Sequence, residues 1–102
     1  MTSQPSPVTV STLDWRGILI EVRFRARPTL YCTSSHLELE SIEPAHAPLP
    51  VTETGYRSHF ADPEDIDEAG GPLAYVEAWL DHAARDRRWI AGEDARRQLS
   101  LF

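Results

Sequence analysis

Residues 51–60, which read VTETGYRSHF, concentrate polar and aromatic side chains beyond what a strand needs for packing. Hydroxyl, guanidinium and imidazole groups recognise phosphate, carboxylate or peptide groups through hydrogen bonds, which are strongest where one partner is charged. This segment is therefore a candidate binding site, and the side chains that would form it are Thr54, Tyr56, Arg57, Ser58 and His59. A purely structural alternative remains open, in which Tyr56 and Phe60 pack while Arg57 and His59 face water.

The residues that could do chemistry do not form a catalytic constellation or a metal site. The four histidines stand at spacings that match no common zinc pattern, and Cys32 is the only cysteine. Ser58 and His59 are neighbours on a predicted strand, so their side chains point to opposite faces and cannot form a nucleophile–base pair. The acidic residues 62–68 lack the loop glycine and terminal glutamate of a calcium hand. We expect no enzymatic activity, no metal and no cofactor.

Period-two hydrophobic alternation predicts the strands that must hold these residues. It runs through residues 15–25 and again through residues 36–42, and each segment presents one apolar face and one mostly charged face. Residues 51–60 form the predicted third strand, with Gly55 at a turn or bulge. The predicted inward-facing residues of the first two strands are Ile18, Ile20, Val22, Phe24, Leu37 and Leu39.

The outward faces of the first two strands carry opposite charges. If these strands pair antiparallel, Arg23 and Arg25 can face Glu38 and Glu40, an arrangement worth about 0.2–1 kcal/mol for each pair. The exposed face of this hairpin would then be neutralised internally, which argues against phosphate binding by its arginines.

Helix signals dominate the second half of the chain. Asp62 can cap a short helix that has Pro63 in its first turn and ends at Gly70 and Gly71. A longer helix is predicted from residue 72 to about residue 88. Its apolar stripe is Leu73, Val76, Leu80 and Ala83, and its predicted surface ion pair is Asp81 with Arg85.

These elements predict an α+β domain, in which a small antiparallel sheet of about three strands packs against one long C-terminal helix. We expect residues 1–13 to form a flexible leader, although Val8 and Val10 could add a short edge strand. Residues 14–92 would form the domain, and residues 93–102 a separate C-terminal segment.

Composition limits the classes of function. A chain of 102 residues with 41% hydrophobic residues has the size and composition of one small globular domain. Its net charge of −6 argues against general nucleic-acid binding, although all ten basic residues are arginine. No apolar run approaches the roughly 18 residues that span a bilayer. The N-terminus lacks the pattern of a secretory signal, and a lone cysteine fits a reducing compartment. We therefore expect a cytoplasmic protein that does not contact membranes.

The last five residues, Gln98, Leu99, Ser100, Leu101 and Phe102, read QLSLF. This string resembles the peptide with which bacterial replication and repair proteins dock onto the DNA sliding clamp, whose pattern is Gln-Leu, then Ser or Asp, then Leu-Phe. The resemblance implies that Leu101 and Phe102 fill an apolar pocket of the clamp, with Leu99 packing beside them and Gln98 bonding at the pocket mouth. In the alternative, Leu101 and Phe102 fold back onto the core of their own chain.

These observations favour a non-enzymatic bacterial interaction protein that docks on the sliding clamp through residues 98–102. Such a protein could be a replication or repair accessory, a regulator or a factor of a mobile element. The alternative is a small ligand- or phosphate-binding domain centred on residues 52–60, with a purely structural C-terminus. The string GYRSHF also resembles uncharacterised small proteins of proteobacteria, and that resemblance implies no particular activity.

Overall fold

The computed structural model describes residues 7–27 and 34–99, with the backbone alone for residues 97–99. In these residues, four strands form one antiparallel sheet in which the strands lie side by side in chain order, and three helices follow them. The elements are β1 (Thr9–Trp15), β2 (Ile18–Arg25), β3 (Ser35–Glu43), β4 (Tyr56–Ala61), α1 (Pro63–Ala69), α2 (Pro72–Ala83) and α3 (Arg87–Leu99).

The α+β class is confirmed, but the sheet has four strands rather than about three. The additional strand is β1, which pairs along its whole length with β2. A two-residue turn joins them, with positive φ angles of 50° at Arg16 and 85° at Gly17, as tight antiparallel hairpins require. Residues 9–13, which we assigned to the leader, therefore belong to the sheet, and the short edge strand considered at Val8 and Val10 is present from Thr9 onward. The side chains of residues 9–13 are mostly polar and exposed, so they give no alternating apolar signal.

The predicted alternation of β2 and β3 is confirmed. Ile20, Val22, Leu37 and Leu39 are at most 1% exposed on the face that the helices cover. Ile18 and Phe24 pack against the same core and are partly buried. The core is completed by buried side chains from β1, from the β3–β4 connection, from β4 and from the helical part of the chain, namely Trp15, Leu49, Ala61, Ile66, Val76, Leu80 and Ala84.

The signals for the short helix are also confirmed. The Asp62 carboxylate accepts a hydrogen bond from the Glu64 N–H at 2.9 Å, and Pro63 is the first helical residue. Gly70 ends α1 with a φ of +104°, the left-handed conformation that favours glycine. Because both caps are satisfied locally, this helix could be predicted from the order of residues alone.

Two helices replace the single long helix that we expected. After α2, the N–H groups of Arg85 and Asp86 bond to the carbonyls of His82 and Ala83, which tightens the chain into a turn. The Asp86 carboxylate then accepts the Arg88 N–H at 2.8 Å and caps α3. Asp86 therefore ends the expected long helix, because its carboxylate caps the first turn of a new one.

The break between α2 and α3 changes which side chains meet. Trp89 packs on Trp15, with ring centroids 6.2 Å apart. The Trp15 indole Nε1 donates to the Asp81 carboxylate at 2.9 Å. The predicted pair of Asp81 with Arg85 is therefore absent from the ion pairs of the described residues. None of the helices described here is both long and apolar enough to cross a membrane.

Candidate functional site

Strand β4 divides the predicted site residues between the two faces of the sheet. Its pairing with β3 places Arg57 and His59 on the face that the helices cover, and Tyr56, Ser58 and Phe60 on the opposite face. Tyr56 and Phe60 are 44% and 57% exposed and His59 is partly buried, which differs from the structural alternative, whereas Arg57 is exposed as that alternative held. Because neighbouring side chains of a strand point in opposite directions, residues 54–59 do not converge on one ligand.

On the face away from the helices, called the open face below, the predicted site residues bond to β3. The Tyr56 hydroxyl donates to the Glu38 carboxylate at 2.6 Å, and this hydrogen bond raises the pKa of Tyr56. The His36 ring stacks on Phe60 at 4.7 Å between centroids, and its Nε2 lies 2.7 Å from the Ser58 hydroxyl. Both hydroxyls would have to give up these partners to bind a ligand.

Arg23 occupies the middle of the open face and joins the carboxylates around it. Its guanidinium bonds to Glu21 and, at 3.1 Å, to Glu40, and lies 3.8 Å from Glu38. The predicted pairing of Arg23 with Glu38 is confirmed by the strand register, whereas Arg25 lies opposite His36. Glu40 lies opposite Glu21, and Arg23 bridges these two like charges. The expected internal neutralisation is present and centres on one arginine.

On the helix-covered face, His59 belongs to an aromatic cluster. Its ring lies 4.3 Å from the Trp79 ring between centroids, and its Nε2 lies 3.2 Å from the Tyr75 hydroxyl. The Arg57 guanidinium lies 5.9 Å from the centre of the Trp79 ring. Burial, together with the charge of Arg57, lowers the pKa of His59. His59 is therefore a packed, partly buried ring whose charged form is disfavoured, rather than an exposed cation.

The threonines of the segment stabilise the turn that leads into β4. The hydroxyls of Thr52 and Thr54 lie 3.1 Å apart, and that of Thr52 donates to the Tyr56 carbonyl at 2.7 Å. These bonds hold the chain as it enters the strand. The polar threonines of the segment thus bond within the segment itself. Among the described residues, no group of three histidine, cysteine or acidic side chains could hold a metal ion.

We expect replacement of His59 with glutamine to reduce the loss of stability at acidic pH. Because the folded chain holds the pKa of His59 below its usual value of 6.5, the unfolded chain binds the proton more readily. The stability that neutral His59 provides is therefore complete above about pH 6.5 and is lost as the pH falls through the lowered folded pKa. Urea unfolding of both proteins between pH 5 and pH 8 measures the difference.

His36→Gln is the matched control for this pH dependence, because it removes an imidazole from the open face. That variant should leave the acid-sensitive part attributed to His59 unchanged. If His59→Gln shows the same fall in unfolding free energy between pH 8 and pH 5 as the parent, burial of the neutral ring does not contribute to it.

The predicted clamp-binding residues lie at the edge of the described structure or outside it. Gln98 and Leu99 belong by their backbone to the last turn of α3. Ser100, Leu101 and Phe102 lie outside the described residues. Clamp docking and packing onto the chain's own core therefore both remain predictions.

Sequence reasoning missed the partners that the site residues find. His36 bonds to Ser58, and Tyr75 and Trp79 enclose His59. Tyr75 and Trp79 stand four residues apart and so share one face of α2, but this spacing does not indicate which strand residue packs on them. Only the sheet register could have indicated these contacts.

The fold and the site together define a small α+β domain with an open four-stranded antiparallel sheet, helices on one face and a bonded polar network on the other. The chain belongs to the family described as KlcB third domain, whose model matches residues 8–89. No curated protein and no solved structure matches it. The family match contains the whole sheet, α1 and α2, and it ends at Trp89, before the QLSLF string.

Proposed function

We propose that this chain is a bacterial protein-interaction domain that docks on the DNA sliding clamp through residues 98–102. The observation that carries the proposal is the QLSLF string, which meets every position of the clamp-binding pattern. These residues lie beyond the segment that the family model matches, so the proposal rests on them and not on the family. It involves no catalysis and no direct nucleic-acid contact, and it implies a cytoplasmic protein.

The course of α3 supports an accessible peptide. Its first half is attached to the domain, because Trp89 packs on Trp15 and Glu93 lies 3.9 Å from Arg16. After Glu93, the side chains of residues 94–96 are exposed. A helix whose final described side chains face solvent can present the residues that follow it to a partner.

The clamp-binding family takes its peptide in an extended form, so the helical backbone at Gln98 and Leu99 must open. Three properties keep the free energy of this unwinding small. Gly92 costs a helix interior about 1 kcal/mol relative to alanine. A helix of 13 residues is marginal without tertiary contacts. The exposed side chains of Asp94 and Ala95 add little buried apolar surface, and opening of the backbone after Arg96 leaves the contact of Arg96 with the Trp89 ring in place.

Two anchors set the scale of the affinity. Full burial of Leu101 and Phe102 would contribute about 1.5–3 kcal/mol each. Ordering of the peptide and loss of translational freedom offset part of this gain. A Kd of 1 μM corresponds to about 8 kcal/mol, more than the two anchors supply, so the expected affinity of the peptide alone is micromolar at best.

The test is binding of the purified chain to a bacterial sliding clamp, measured by calorimetry beside the double variant Leu101→Ala/Phe102→Ala. We expect saturable micromolar binding by the parent chain and a loss of at least about tenfold in the variant, since both anchors disappear. A free QLSLF peptide should compete with the parent chain.

Ile90→Ala is the matched control, since Ile90 is an apolar residue of the same helix that is 47% exposed and lies outside the peptide. It should bind the clamp as the parent does. Absence of binding by the folded parent chain would contradict the proposal, and so would undiminished binding by the double variant.

A further inference from the structure

A cleft of about 870 Å³ lies between residues 48–53 and the corner where α2 turns into α3. This volume falls in the range of about 300–1,000 Å³ that small-molecule sites occupy. One wall is apolar and contains Pro48 and Pro50. The polar lining comes mostly from the helical corner, and it consists of Glu53, His82, Arg85, Asp86, Arg88 and Arg96.

The proline wall is fixed in place by hydrogen bonds to its own turn and to β3. Leu49 and Thr52 exchange two backbone hydrogen bonds of 2.7 and 3.0 Å, and Leu49 is 2% exposed. The hydroxyl of Ser41, which is 3% exposed, donates to the Ala47 carbonyl at 2.7 Å. The wall is therefore an ordered part of the domain.

The helical wall is fixed by two tryptophans. Trp15 is 3% exposed, bonds to Asp81 on α2 and packs against Trp89 on α3. The Arg96 guanidinium lies 4.8 Å from the centre of the Trp89 ring. Since both walls depend on buried contacts, the cleft is preformed, as ligand sites usually are.

The arginines of the cleft are not neutralised by the carboxylates near them. The Asp81 carboxylate, one helical turn before Arg85, accepts a hydrogen bond from Trp15. The Asp86 carboxylate accepts one from the backbone N–H of Arg88. Among the described residues, no ion pair involves Arg85 or Arg88. The lining carries three arginines against two carboxylates, in a chain whose net charge is −6.

We propose that this cleft binds an organic phosphate, with its phosphate groups on Arg85 and Arg88 and its organic part against the proline wall. Guanidinium groups present paired donors that match phosphate oxygens, and a phosphate has enough acceptors to engage two of them. Of residues 52–60, where the alternative interpretation placed phosphate recognition, only Glu53 lines this cleft. The cleft is independent of clamp docking.

The experiment titrates the folded chain with ADP, with inorganic pyrophosphate and with adenosine, using calorimetry. We expect ADP to bind most tightly, pyrophosphate to bind several-fold more weakly, and adenosine to show no measurable binding, because the phosphates supply the charged contacts. Arg88→Gln should weaken ADP binding by about tenfold, as loss of a charge-assisted contact predicts.

Arg87→Gln is the control, because Arg87 is the exposed neighbour of Arg88 in the first turn of α3 and does not line the cleft. Both variants lose one positive charge, so a difference between their affinities for ADP reports a specific contact of Arg88 with the ligand. Circular dichroism checks that each variant is folded.

Three results would overturn the proposal: no binding of ADP by the folded chain, equal weakening in Arg87→Gln and Arg88→Gln, or adenosine binding as tight as that of ADP. Equal affinities for pyrophosphate and ADP would overturn the contact of the organic part with the proline wall. Deletion of residues 98–102 should leave ADP binding unchanged, so failure of the clamp proposal and failure of this one can be told apart.

Discussion

Replacement of Trp15 with alanine is expected to lower the free energy of unfolding by about 3–5 kcal/mol, the range for deletion of a buried aromatic side chain. Trp15 is 3% exposed and ends β1, where it joins the sheet to both C-terminal helices. It contacts Trp89 of α3 and donates to Asp81 of α2. Its loss removes core volume and the attachment of α3 together. Urea unfolding at pH 7.5 measures the change.

Two further variants separate the contributions of Trp15. Trp15→Phe keeps an aromatic ring but loses the hydrogen bond to the Asp81 carboxylate, which is worth about 1.5–3 kcal/mol, together with part of the buried indole area. Val10→Ala, on the same strand but 59% exposed, should change the unfolding free energy by less than about 0.5 kcal/mol. A loss below about 1 kcal/mol for Trp15→Ala would show that Trp15 does not hold the helices on the sheet.

Gly55→Ala is expected to cost about 2–4 kcal/mol, from backbone strain and overpacking together. Gly55 has a φ of +80°, and an added Cβ would lie 2.9 Å from the carbonyl carbon and the Cα of His46. These are backbone atoms, so the contact cannot be relieved by rotation of a side chain. The Gly55 carbonyl also accepts the N–H of the buried Ser41 at 2.7 Å, which fixes the two segments together. Urea unfolding measures this loss as well.

Gly17→Ala is the matched control for Gly55→Ala. Gly17 has nearly the same φ, +85°, but an added Cβ there would meet no atom within 4 Å. Gly17→Ala should therefore show the conformational cost alone, about 1–2 kcal/mol. Equal losses for the two variants would mean that the contact with His46 adds nothing to the stability of the β3–β4 connection.

The part of the fold that the sequence alone determined is the part that depends on near neighbours. Alternating apolar residues predicted the inward faces of β2 and β3, because side chains of a strand point to opposite faces in turn. Asp62, Pro63 and Gly70 predicted both ends of α1, because helix caps are satisfied within a few residues. The α+β class followed from the order of these elements.

The tertiary structure decided the features that depend on distant residues. Strand β1 has mostly polar, exposed side chains, so Val8 and Val10 indicated only a short edge strand, and its full length depends on pairing with β2. The division between α2 and α3 depends on Asp86, whose cap competes with continuation of the helix. Asp81 bonds to Trp15 rather than to Arg85, which follows from a contact between residues 66 positions apart.

The candidate sites also depended partly on local sequence and partly on contacts between distant residues. The sequence identified the polar residues 52–60, but the register of β4 on β3 sent their side chains to both faces of the sheet. The arginine-lined cleft could not be predicted, because its walls come from residues 48–53 and from the corner between α2 and α3. The sequence determines which groups are present and which local turns and caps they form. Long-range pairing and packing determine which of those groups meet, because these contacts join residues that no local pattern connects.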